Sequence, residues 1–425
     1  MIVWRIISTW VLFIIFALNV NAAELPCKDV IYRSQIKTLQ LINPHTPYAL
    51  PVISLQSSND VLELSFDDLD GDFKNYTLTF LHCNADWTPS NLKTGEFLDG
   101  FFEFNIVTYS FSVGTYQKFT HYKVQFPSAL PQQFTRFKLS GNYMLFIFEN
   151  GDAEQPVLSK RFIVTDAKAA IQCSIRQPVS NTKNGGQQLE LTIDLNASSI
   201  ANPARDVHLT VVQNNRWDNM AQQIQPQFVQ ANRLTYQFNN DLIFEGGNEY
   251  RPLDIRSIRF QSPQIQKMYR DEQHIMHAEL FTDESRAVKP YLYYADINGA
   301  YTLYNRDAID PQSVLETDYV ICKFSFRAPE SSSSFFLSGN ITSSGLNSRI
   351  PLYYNSKSGH YETEVLLKQG FYNYIYTDAK GSSYNTEGSF WDTENEYTLI
   401  VYYRPFGTYF DQVIGLVKCN SLKAR

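Results

Sequence analysis

The feature that most constrains this chain is a two-residue alternation of apolar and polar side chains, repeated from one end of the sequence to the other. In residues 189–195 the apolar set is Leu189, Leu191, Ile193 and Leu195, with Glu190, Thr192 and Asp194 between them. Tyr76, Leu78 and Phe80 alternate with Thr77 and Thr79, and Tyr122, Val124 and Phe126 with His121, Lys123 and Gln125. Tyr397, Leu399, Val401 and Tyr403 repeat the pattern near the end. Such a period sets one face of a strand on a core and the other in water. Residues 143–148 form an unbroken apolar run, as expected of a central strand buried on both faces.

Turn formers punctuate these runs at short intervals: residues 68–72, Asn150-Gly151-Asp152, Asn184-Gly185-Gly186, Asn298-Gly299 and Ala379-Lys380-Gly381. Short strands with frequent turns predict β-sandwiches. Helical periodicity is scarce. Residues 266–288 read equally as a helix or as strands, and 216–224 and 310–316 each have room for a helical turn. The aromatic content of 15%, with 27 Tyr and 30 Phe against only 19% charged residues, also favours strands. The predicted fold class is all-β: three consecutive immunoglobulin-like β-sandwich domains with few short helices. Polar stretches at 166–170 and 307–318 set the divisions at 24–165, 166–318 and 319–425, each a reasonable size for one sandwich.

Residues 1–23 read as an export signal. Arg5 is their one charge, 6–20 are nearly continuous in apolar residues, and Asn21-Ala22-Ala23 offers a cleavage site. A membrane anchor is the alternative, but the run falls short of the ~20 residues a spanning helix needs. Cys27 lacks the small residues before it that lipid attachment requires. Removing the signal moves the formal charge from −7 to −8. An acidic chain without a basic stripe excludes nucleic acid as the expected partner. Five cysteines follow the signal, at 27, 83, 173, 322 and 419, with no CxxC pair, so an exported location permits disulfides without demanding one.

Candidate chemistry is sparse. Asp67, Asp68, Asp70 and Asp72 offer carboxylates at near-alternate positions, yet no glutamate closes a calcium loop, and Asp and Gly are what a tight hairpin turn demands. His274 and His277 lack a third zinc ligand. His82 and Cys83 are adjacent on a predicted strand and therefore point apart, which suits a structural role better than a base and its nucleophile. No GxSxG, phosphate loop or dinucleotide fingerprint occurs. The expectation is no catalytic residue, no metal and no cofactor.

Several segments together resemble the plug family of the type IX secretion system of Bacteroidetes-type bacteria. They are Leu81-His82-Cys83-Asn84-Ala85-Asp86-Trp87, Phe97-Leu98-Asp99-Gly100-Phe101 and Thr120-His121-Tyr122 in the first part of the chain. Val212-Gln213-Asn214-Asn215-Arg216-Trp217, Gly247-Asn248-Glu249-Tyr250-Arg251 and Asp296-Ile297-Asn298-Gly299 follow. Leu367-Lys368-Gln369-Gly370-Phe371-Tyr372 and Tyr402-Tyr403-Arg404-Pro405 complete the set. No single segment is a strong motif; their order and spread carry the likeness. The resemblance implies a non-enzymatic periplasmic protein that binds a giant outer-membrane β-barrel translocon from its inner side and seals it when idle, with no membrane span of its own. It assigns structural roles to His82, Cys83, Asp86, Trp87, Gln213, Asn214, Trp217, Asn248, Glu249, Arg251, Asp296, Asn298, Gly299, Tyr403, Arg404 and Pro405, and no contact residues.

Size permits the role. A barrel of ~36 strands spaced ~4.8 Å and tilted ~40° is about 70 Å across, whereas roughly 400 compact residues span ~55 Å or more. The competing readings are a secreted carbohydrate-binding β-sandwich protein, with Trp391, Tyr353 and Tyr354 stacking on sugar rings, and a glycosidase without a legible motif.

Overall fold

The computed structural model describes residues 25–57, 59–179, 185–195, 200–331, 333–341 and 349–424. The segment read as an export signal lies outside the described residues. Alternation becomes strand almost everywhere it occurs. Among the described residues helix is confined to the four-residue segments Thr94–Phe97, Pro203–Asp206 and Tyr384–Glu387 and the 3-10 turn Asn240–Leu242. The fold class is all-β. The stretch 266–288 resolves as strands Ile265–Arg270, Met276–Leu280 and Asp283–Glu284. The helical turns allowed for in 216–224 and 310–316 do not form; strand Ala221–Ile224 occupies part of the first.

The strands pack as three pairs of sheets around three cores. In the first, a sheet ordered Val30–Ile31, Pro156–Thr165, Gly141–Glu149, Tyr76–Cys83 and Glu103–Asn105 faces a sheet ordered Ile36–Ile42, Leu62–Asp68, Thr120–Phe126 and Thr108–Phe111. Leu78, Phe80, Tyr143, Leu145 and Phe162 meet Leu62, Leu64, Phe66, Tyr122 and Phe126 between them. The run 143–148 is the sheet's central strand, buried on both faces as expected. Strands Leu62–Asp68 and Tyr76–Cys83 belong to different sheets, so the Asp-rich turn between them is a corner from one sheet to the other, not the hairpin anticipated.

The second core is closed by the end of the chain. Ala170–Arg176, Gly186–Asp194, Arg233–Tyr236 and Phe228–Gln230 form one sheet. The facing sheet orders Ala221–Ile224, Val207–Gln213, Glu396–Tyr403 and Gln412–Asn420. The third core lies between a sheet built on Arg251–Asp254 and Gly370–Thr377 and another built on Met276–Leu280, Tyr319–Arg327 and His360–Lys368. A division at 318 therefore cuts across sheet pairing: Arg251–Asp254 pairs with Gly370–Thr377, and Val207–Gln213 with Glu396–Tyr403. The pairing favours a nested division, put forward as a proposal, in which the third sandwich is inserted into the second.

A fourth apolar cluster joins two of these bodies. Leu50, Cys83, Trp87, Met144, Phe146 and Ile163 from the first meet Val212, Trp217, Ile400, Tyr402 and Val413 from the second. The alternation explains it. The outward faces of Gly141–Glu149 and Glu396–Tyr403 carry apolar residues as well as the inward ones, so each sheet is buried twice.

Candidate functional site

Some motif residues bridge the joints between the three bodies, and others brace the bodies beside them. At the first joint Trp87 and Trp217 pack edge to face with centroids 5.0 Å apart. The Arg161 guanidinium lies 5.4 Å from the Trp87 ring and 4.9 Å from Trp217. Arg161 is held in turn by Asp29, whose Oδ1 accepts from the Arg161 backbone N–H at 2.8 Å and from Nε at 3.2 Å. Burial alone would raise the Asp29 carboxyl, but Lys160 and Arg161 outweigh it and hold it below the usual carboxylate range. Asp86 caps its own turn through the Thr88 N–H and hydroxyl, at 3.0 and 2.6 Å. Arg404 forms a fork with Asp411 at 2.8 and 2.9 Å, and Asp411 Oδ2 accepts from Ala85 N–H at 2.9 Å. Tyr403 and Pro405 flank that fork, half-buried.

His82 and Cys83 diverge, as adjacent strand residues must. The fully buried His82 ring contacts Ser90 Oγ at 2.9 Å through Nδ1 and Ser140 O at 3.3 Å through Nε2. Burial pushes it down to about 4 despite the Ser140 carbonyl and Asp411. Gly141 lies so close that a Cβ there would sit 2.3 Å from His82 Nε2. Cys83 Sγ instead faces Cys27 Sγ at 3.7 Å.

Within the second body, beside its joint with the third, Gln213 donates to Glu245 O at 2.8 Å, and Asn214 donates to Asn395 Oδ1 at 2.7 Å and accepts from Glu396 N–H at 2.9 Å. Asn248 donates to Glu387 O at 2.8 Å. Arg251 reaches Glu387 at 3.1 Å, Asp283 at 2.6 Å and Glu284 O at 2.7 Å. Asp296 and Asn298 form a turn with Gly299, whose φ is +80° and whose Cβ would lie 2.7 Å from the Tyr250 ring. Burial opposes ionisation of Glu387, yet Arg251 and Arg286 keep its carboxyl lowered.

The third joint links the first and third bodies through Asp67, weighed from sequence only as part of the acidic turn, and Lys368, quoted only within a segment of the resemblance. Asp67 and Lys368, both fully buried, pair at 2.6 Å. Asp67 also accepts from Tyr319 OH at 2.7 Å and lies 2.7 Å from His121 Nδ1. Lys368 Nζ sits 3.8 Å from the Phe119 ring centroid. Burial would raise the Asp67 carboxyl, but Lys368 and His121 hold it low. Asp318 caps Tyr116 and Gln117 N–H at 2.8 and 3.1 Å. The only sequence signals were one charge at the end of an apolar strand and one inside a segment of the resemblance; their meeting is tertiary.

Surface aromatics gather on the first body. Edge strand Thr108–Phe111 is exposed at all four residues. Phe73, Tyr109 and Phe111 lie along it as neighbours, with centroids 4.8 and 5.8 Å apart. The sugar-stacking candidates are not gathered in this way. Trp391 packs against the second core, while Tyr353 and Tyr354 lie on a strand of the third, Tyr354 against Tyr361. His274 sits in the turn before strand Met276–Leu280, near Tyr116, while His277 is 3.0 Å from Asp271 and stacked on Tyr269. Among the described residues no helix is long and apolar enough to cross a membrane.

Comparison with known proteins bears on the whole chain. A family model described as the type 9 secretion system plug protein 1st domain matches residues 36–166, nearly the span of the first sandwich. A hypothetical protein from Parabacteroides merdae ATCC 43184, known from a crystal structure at 2.30 Å, is 30% identical, with a TM-score of 0.85 over 92% of this chain and 98% of that one. A structure comprising Gaeumannomyces graminis manganese lipoxygenase and part of Komagataella pastoris zonadhesin is 9% identical (TM-score 0.15, covering 91% and 93%) and carries no fold argument. Nor does Escherichia coli alpha-2-macroglobulin, 10% identical (TM-score 0.16, covering 92% and 35%). No curated protein matches the sequence. The chain belongs to the plug protein family of the type IX secretion system, and carries that family's first domain at residues 36–166.

Proposed function

We propose that this protein is a rigid, non-catalytic stopper that binds the periplasmic mouth of the type IX outer-membrane barrel and blocks it sterically between substrates. The observation that carries this reading is the closed set of joints. First meets second at Trp87–Trp217, second meets third where Asn298 Nδ2 donates to Glu394 Oε2, and third meets first at Lys368–Asp67. Three bodies fastened pairwise leave no free hinge, and a body that resists leakage must not fold away under load. The buried Lys368–Asp67 pair reinforces this, since separating it would leave a charge stranded in a low-dielectric interior. The exposed aromatic strip of Phe73, Tyr109 and Phe111 supplies a docking surface on the very domain the family model matches. Such an interface is expected to bury more than ~1,000 Å².

The test is recovery of the chain with a very large outer-membrane barrel from solubilised membranes, together with envelope permeability in a strain lacking it. Co-purification, weakened by Tyr109→Asp with Phe111→Asp, and a leaky envelope in the deletion strain are the expected results. Unchanged permeability would remove the sealing role even if binding were found.

A further inference from the structure

The second joint brings together three carboxylates whose proximity the plug reading does not explain. Glu249 follows strand Ile243–Glu245, Asp296 precedes strand Tyr301–Leu303, and Glu394 precedes strand Glu396–Tyr403. One oxygen from each lies within 4.8 Å of the other two. Glu249 is fully buried, and Asp296 and Glu394 are half-buried.

Their hydrogen bonds leave room for another ligand. Glu249 Oε1 accepts from the Glu394 N–H at 3.0 Å and from the Tyr291 hydroxyl, but Oε2 is buried without a hydrogen-bond donor. The Asn298 amide lies against the cluster, its Nδ2 donating to Glu394 Oε2 at 3.0 Å, and its Oδ1 is likewise buried without a donor. Asp296 accepts from the Asn298 N–H at 2.7 Å and from the Tyr250 N–H. Glu394 Oε1 accepts from Asn420 Nδ2. Among the described residues no lysine or arginine forms an ion pair with any of the three carboxylates. Arg286, which acts on Asp296 through space, directs its donors to Glu387, Tyr294 OH and the Glu249 carbonyl. Burial pushes Glu249 up to about 7 and Asp296 up to about 6, which measures how poorly the site tolerates its own charge.

The other acidic cluster is different. Lys74 Nζ stands 2.9 Å from Asp68 and 3.7 Å from Asp72 and also bonds Asp70, so that turn already contains its cation.

We infer that Glu249, Asp296, Glu394 and the Asn298 amide oxygen form a binding site for a hard divalent cation, with calcium the best match. Two oxygens each ~2.4 Å from one ion are at most ~4.8 Å apart, and one oxygen of each carboxylate lies within that limit of the other two. An all-oxygen set without imidazole or thiolate disfavours zinc and copper. Calcium accepts an irregular shell completed by water, whereas magnesium demands near-octahedral geometry. The ligands come from three separated stretches of chain, so the ion would clamp the second core to the third. The expectation of no metal, drawn from the sequence, is set aside for this site only.

The experiment uses the chain from residue 24, stripped with a chelating resin. Calcium chloride is titrated by calorimetry, and terbium luminescence excited through nearby tyrosines such as Tyr291 gives a second readout. One ion per chain, a melting temperature raised by calcium and lowered again by chelator, and displacement of terbium by calcium are expected. Glu394→Gln, at a half-buried position, should weaken binding about tenfold or more, and Asp296→Asn likewise, while Asp70→Asn leaves it unchanged. No heat and no thermal shift with calcium up to about 5 mM would overturn the site. So would binding undiminished in Glu394→Gln. Binding of magnesium or manganese alone would overturn the calcium assignment.

Discussion

Among single residues, His82 and Lys368 show most clearly how burial decides chemistry. His82 ionises near 6.5 in an unfolded chain but only at about 4 in the fold, where it faces Ser90, the Ser140 carbonyl, Phe97, Tyr143 and Phe410, with Asp411 nearby. Between those values the unfolded chain binds a proton that the native state refuses. Stability therefore falls as pH drops from about 6.5 towards 4, by about 3 kcal/mol in full. His82→Gln should lose that part of the slope; urea unfolding at pH 7, 5.5 and 4.5 measures it, and an unchanged slope would sink the assignment. Lys368 poses the opposite case, a charge kept in the interior by its partner. Lys368→Met strands Asp67 and should cost about 3–5 kcal/mol, whereas the double variant with Asp67→Asn should recover most of that loss. Equal destabilisation in the single and double variants would show that packing, not charge, dominates. Neither behaviour could be read from sequence, because His82 looks like any strand histidine and Lys368 like any strand-end lysine until their neighbours are known.

Whole strands reveal how far pattern alone reaches. Alternation identified Tyr76–Cys83, Thr120–Phe126, Gly186–Asp194 and Glu396–Tyr403 as strands and stated which residues face inward. It did not state pairing. The last hairpin, Glu396–Tyr403 with Gln412–Asn420, joins Val207–Gln213 nearly 190 residues earlier in the chain. A fragment of residues 166–318 thus lacks two of the four strands of one sheet and should fail to fold, while residues 25–166 hold both sheets of the first core and should fold. Dispersed amide spectra from residues 25–166 and collapsed ones from residues 166–318 are expected; a well-folded 166–318 fragment would rule out the nested division. Trp87 and Trp217 give a finer check across the first joint. Their edge-to-face pair should contribute a coupling of about 0.5–1.5 kcal/mol in a double-mutant cycle to alanine.

Seen whole, the molecule is defined by its joints more than by its sandwiches. A cleft lined by Leu39, Tyr48, Lys160, Trp217, Tyr301 and Asn340 marks where all three bodies meet. There Asn215 donates to Tyr48 O at 2.7 Å and Tyr301 to Leu39 O at 3.3 Å. Bodies fastened in this way should not melt independently. Calorimetry of the intact chain is expected to give one unfolding transition, with Lys368→Met lowering it as a unit; two resolved transitions would contradict the rigid-stopper reading.

The sequence by itself determined the class of fold, the strand faces, most turns and the membership suggested by scattered short segments. All of these rest on local periodicity or local residue choice, which survive in one dimension. The tertiary structure alone decided which strands pair across long separations, that His82, Asp67, Lys368 and Glu249 are each buried, and which partners each of them meets. Those outcomes depend on who meets whom in space, and burial, charge pairing and desolvation exist only once that meeting has occurred.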